Sequence, residues 1–183
     1  MLLRPLCLSV ALLLPFTAPA QAERAQQGLL ALFAPAQKGG PDRAARAELK
    51  AAVKVAMANP PRGRIWCVPF ARAVSGVEIR GNARTWWDQA RGRYARGHEP
   101  KVGAVMAFAA SRSMPKGHVA VVSKVIDDRT VLVDQANWER NRITLDTVVV
   151  DVSAKGDWSK VRVANGAGSL GRVNPVKGFI YAE

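Results

Sequence analysis

The hydrophobic pattern changes period part-way along this chain, and the switch limits the possible folds more than any other feature. In the first half, apolar residues recur at helical spacing. Ala45, Leu49, Ala52, Val53 and Ala56 share one face, with Arg43, Arg46, Lys50 and Lys54 off it. Asp42 is placed to cap that helix, and Asn59-Pro60-Pro61 stops it. Such a helix either docks on a core or gates a site. A second helix begins near Cys67. Pro69 has no N–H to give and belongs in a first turn, Phe70, Ala71 and Val74 supply an apolar face, and Gly76 ends it. Asn82 is placed to cap a third helix carrying Trp86 and Trp87, one suited to the core and the other to core or groove. Thereafter the pattern is that of valine-rich strands: 103–109, 118–126, 130–137, 143–152, 161–163 and 179–181. Asp127-Asp128 reads as a turn between two paired strands. Helices first and strands after define an α+β chain, with N-terminal helices packed on an antiparallel β-sheet.

The N-terminus has the order of a secretory signal: Arg4, an apolar run from Leu6 to Phe16, then Ala20-Gln21-Ala22. Residues 1–22 are therefore expected to be cleaved, leaving Glu23 first; the alternative is an uncleaved anchor. The apolar run is too short to span a bilayer, and no later stretch is apolar enough. Residues 23–59 form a lead-in and the first helix, and 60–183 form the main domain. The expected location is outside the cytoplasm, periplasmic or secreted. Cys7 leaves with the signal, so Cys67 stands alone and no internal disulfide can form. A lone thiol in an oxidising compartment is a liability unless it is buried or used.

Cys67 sits where use is plausible on physical grounds. At a helix start, unpaired N–H groups and the helix dipole favour a thiolate and can hold an oxyanion. There are two histidines. His98 lies in the polar, turn-like stretch Arg96-Gly97-His98-Glu99-Pro100 and reads as a solvated loop residue. His118 follows Gly117 and heads Val119-Ala120-Val121-Val122, so it can be held rigidly as a base. Asp134 and Asn137 follow. Thiol, imidazole and a carboxylate or amide are the parts of a cysteine hydrolase. No spacing of histidines and cysteines suits a metal, and no cofactor is implied. The net charge of +13 is dispersed along the chain. It favours anionic polymers of the cell envelope as partners, or it is simply a soluble, arginine-rich surface. No zinc-finger spacing, RNP motif or basic helix specifies nucleic acid. No repeat or separate binding module is visible, which leaves room for an envelope protein partner.

Five blocks in order, Cys67-Val-Pro-Phe-Ala-Arg72, Trp86-Trp87, Pro100-x-x-Gly103-Ala-Val-Met-x-Phe108, Gly117-His118-Val-Ala-Val-Val122 and Val133-Asp134-x-x-Asn137-Trp138, resemble the CHAP family. These are cysteine, histidine-dependent amidohydrolases/peptidases on a papain-like scaffold. The resemblance covers about Arg64 to Trp138 well and the later strands loosely. It implies hydrolysis of amide bonds in bacterial peptidoglycan, either between muramic acid and L-alanine or within stem and cross-bridge peptides. By carry-over Cys67 is the nucleophile and His118 the base. The family's third polar group is usually a glutamate with an asparagine two positions later; here Asp134 and Asn137 are three apart. On a regular strand residues three apart face opposite ways, so only one can reach His118 unless a bulge intervenes. A two-residue turn at Asp127-Asp128 sets His118 opposite Asn137; one more loop residue puts Asp134 on the histidine's face. Asp134 is favoured as the third member and Asn137 as a second support or a strand-ending turn residue. The expected resting state is a thiolate at Cys67 with protonated His118. Two other readings remain: a non-catalytic envelope-binding protein on the same scaffold, and an amidase for a small amide.

Overall fold

The valine-rich half of the chain closes on itself as one antiparallel sheet. The computed structural model describes residues 40–165 and 168–182, so the expected signal peptide and most of the lead-in lie outside the described residues. Its helices are α1 (Gly40–Ala58), α2 (Cys67–Ser75) and the single turn α3 (Trp86–Gln89), which a short 3-10 turn, Ala83–Thr85, precedes. Its strands are β1 (Ala95–Gly97), β2 (Val105–Phe108), β3 (His118–Asp127), β4 (Thr130–Ala136), β5 (Ile143–Asp151), β6 (Lys160–Ala164) and β7 (Leu170–Tyr181). The strand order is β1-β7-β2-β3-β4-β5-β6, and β6 pairs with β7 as well, so β2 to β7 form a barrel-like ring with β1 added beside β7. All pairings are antiparallel, and the α+β class expected from the sequence is the class observed.

Both faces of this sheet are covered, which explains why its central strands read as continuous apolar runs rather than alternating ones. On one face Val105, Ala107, Val119, Val121 and Ile180 meet Leu49 and Val53 of α1, Phe70, Ala71 and Val74 of α2, and Trp86. On the other, Met106, Phe108, Ala120, Val122, Val133 and Phe179 pack with Trp158. Burial of side chains this size stabilises by roughly 1.5–3 kcal/mol each, and Cys67, the cysteine among the described residues, is a free thiol.

Several local expectations are corrected. α1 starts before Asp42, which lies in its first turn rather than at its cap. Arg46 and Lys50, placed off the buried face, reach the sheet instead: Arg46 bonds Asp146, and Lys50 bonds both Asp134 and Asp146. Asn82 makes no side-chain cap, and the helix after it shrinks to the 3-10 turn and α3. Trp86 is core, while Trp87 lies against Gly178 of β7. β1 was not anticipated, because Ala-Arg-Gly carries no strand signal. β7 runs twelve residues, not three. Arg172, Asn174 and Pro175 mask it, and Pro175 is tolerated beside the irregular pairing with β2.

Candidate active site

α2 opens on Cys67, with Trp66 in an extended conformation as its cap residue and Gly76 left-handed at its end. Pro69 contributes no N–H, and the Phe70 N–H goes to the Trp66 carbonyl at 3.4 Å. The N–H groups of Cys67 and Val68 face the thiol, as does that of Val119 from β3. β3 places His118 next to Val119 at its head. Gly117 makes that placement possible. Its φ is +68°, and a Cβ there would sit 2.6 Å from the Arg84 N and 3.0 Å from the Phe108 carbonyl. Cys67 and His118 thus line one cavity of about 760 Å³, together with Trp66, Asn137 and Trp138.

The His118 ring is packed between two aromatics, with centroids 5.5 Å from Phe108 and 5.1 Å from Trp138. Its Nε2 lies 2.9 Å from Oε1 of Gln135. An amide oxygen only accepts, so Nε2 carries the proton and the lone pair of Nδ1 is free. Neither expected third member makes this contact. Asp134 is fully buried on the opposite face, where both its oxygens take Lys50 Nζ at 2.9 Å and Oδ1 takes the Asp146 N–H at 2.8 Å. Asn137 has φ +61° and accepts the Asn141 N–H at 2.9 Å. Asn141 in turn accepts the Ile65 N–H at 2.8 Å. Asn137 is therefore the turn residue after β4, tying that turn to the segment that leads into Cys67.

The register explains the correction. The hairpin pairs Asp127 with Thr130, and two irregularities then bring Val121 opposite Asp134, the register that a two-residue turn at Asp127-Asp128 predicts and not the one with a longer loop. His118 shares a face with residues 135 and 137, not 134. Gln135 was missed, although a signal existed. The family pattern of an acid two positions before an asparagine, counted back from Asn137, lands on Gln135, with an amide where glutamate is usual.

The ionisation state also differs from expectation. Burial pushes the Cys67 thiol up, and the N–H groups of Val119, Val68 and Cys67 only partly oppose it. Burial lowers His118 to about 4, against a smaller upward effect of the Gln135 hydrogen bond. Both shifts favour a neutral thiol beside a neutral imidazole, because no aspartate or glutamate among the described residues lines this aromatic pocket to support a charged pair. His98 is exposed, 6.0 Å from the Trp87 ring, and does not line the Cys67 cavity.

Residues 59–137 match the family model described as CHAP domain, the family that the five sequence blocks resemble. No curated protein matches the chain. The matched stretch takes in Cys67, His118 and Gln135 and stops at Asn137. A CHAP domain points to a peptidoglycan-associated amidase or peptidase of the cysteine- and histidine-dependent kind.

Proposed function

We propose that this CHAP-domain chain is an exported cysteine hydrolase that cleaves amide bonds of peptidoglycan, on the papain-like scaffold that the resemblance implies. The observation that carries the reading is Cys67 at the start of α2 and His118, held by Gln135, lining one cavity inside the matched stretch. His118 Nδ1 takes the thiol proton as sulfur attacks the amide carbonyl, forming the S–C bond. The N–H groups of Cys67 and Val68 stabilise the oxyanion. The imidazolium returns its proton to the amine as the C–N bond breaks, leaving a thioester. Water, deprotonated by His118, then breaks the C–S bond and releases the acid and the thiol. The charged imidazolium exists only during the reaction, which suits a base whose resting state is neutral. Export is supported by the composition of residues 1–22, and protein recovered from the periplasm should begin at Glu23.

Digestion of purified peptidoglycan, with mass analysis of the fragments, tests the function and identifies the bond. Wild-type protein should release fragments, and Cys67→Ala should release none while keeping its circular dichroism. A folded Cys67→Ala variant with wild-type rates would sink the cysteine mechanism. Wild-type protein that binds the polymer without cutting it would favour the envelope-binding alternative.

A further inference from the structure

The charged side chains lining the Cys67 cavity are all cations: Arg64, Lys116 and Arg172. No aspartate or glutamate lines it, and none of the three has an ion-pair partner among the described residues. Two are organised around Trp66, which is 42% exposed next to the nucleophile. The Arg64 guanidinium lies 4.3 Å from the Trp66 ring centre and the Lys116 ammonium 5.7 Å. A cleft with charges of one sign concentrates the opposite charge, and stacking on an indole holds a cation in place without neutralising it. Guanidinium groups match a carboxylate's two oxygens. They line the same cavity as Cys67, so a carboxylate on the fragment that presents an amide to Cys67 would meet them there.

We propose that this cavity selects amide substrates carrying a free carboxylate within a residue or two of the scissile bond, held by Arg64, Lys116 and Arg172 beside Trp66. The inference rests on the proposed function for its substrate backbone, but the charge preference can be read without turnover. The probes are two muramoyl peptides identical except that one has a free side carboxylate and the other the carboxamide. Binding of each to the full-length Cys67→Ala protein is measured by calorimetry, and kcat/KM of each with the wild type. The carboxylate peptide should bind and react better by about tenfold or more, a gain that weakens with added salt. Arg64→Gln and Arg172→Gln should narrow that ratio, chiefly through KM, whereas Lys155→Gln, outside the cavity, should leave it unchanged. Carboxylate-dependent binding without hydrolysis would support the inference while removing the proposed function. Hydrolysis or binding that ignores the carboxylate overturns the inference and leaves the function standing, and failure of both peptides to bind overturns it as well.

Discussion

Gln135 gives His118 a fixed orientation without giving it a charge. A carboxylate at that position would do both, and the difference sets the chemistry of the site. An amide oxygen accepts the Nε2 proton but offers an imidazolium little, so burial between Phe108 and Trp138 dominates and the ring stays neutral to about pH 4. Removing the acceptor in Gln135→Ala should lower kcat/KM by roughly tenfold to a hundredfold, the rate equivalent of one buried hydrogen bond. Gln135→Glu should move the acid limb of the pH–rate profile upward, because a nearby negative charge favours protonated histidine. Wild-type kcat/KM in Gln135→Ala, with an unmoved acid limb in Gln135→Glu, would remove Gln135 from the site. Cys67 and His118 were legible in the sequence because each sits at the boundary of an element, where residue type and punctuation coincide. Gln135 was not, because an amide carries no signal of its own as a histidine partner, and the nearby acid, Asp134, falls on the opposite face in the register that β3 and β4 adopt.

Helix α1 shows what periodicity can and cannot reveal. Its apolar face was readable, and Leu49 and Val53 are buried as that face requires. Its cations lie off that face, yet Lys50 reaches Asp134 and Asp146, residues far along the chain. A pattern within one helix carries no information about a partner on another element. Burial pushes the Asp146 carboxyl up, but Ser123, Lys50 and Arg46 together hold it below its usual value. The network fastens α1 to the strand that presents Gln135 on its other face. Lys50→Met should leave the buried Asp134 carboxylate with the Asp146 N–H as its remaining partner and cost about 1–3 kcal/mol. Adding Asp134→Asn to that variant should recover part of the loss, since the neutral amide still accepts from Asp146 without demanding a cation. Urea midpoints of the two variants against the wild type decide this. A neutral Lys50→Met would mean that the ammonium contributes no more than an exposed surface pair.

At the scale of the whole molecule, the α+β order was legible but ring closure was not. Closure depends on β7, whose arginine, asparagine and proline conceal a strand that pairs with β1, β2 and β6. The closed sheet has a thermodynamic consequence through the histidine at the head of β3. In the unfolded chain an imidazole titrates near its ordinary value of 6.5, whereas in the folded chain burial holds His118 at about 4. Between those values the unfolded state binds a proton that the folded state refuses, so stability must fall as pH falls from about 6.5 to about 4 and then stop responding to this group. At 1.36 kcal/mol per pH unit the loss is on the order of 3 kcal/mol. Asp146, held below its usual carboxylate range, works at lower pH: its contribution is present above its unfolded value and is lost as pH falls through its folded one. The two windows therefore separate. Urea unfolding of the wild type at pH 7 and at pH 4.5 should show most of the histidine loss, and His118→Gln should flatten that slope while keeping a neutral polar group beside Gln135. A wild type equally stable at the two pH values would mean that water reaches the ring between Phe108 and Trp138, and that the neutral resting pair at Cys67 and His118 is wrong.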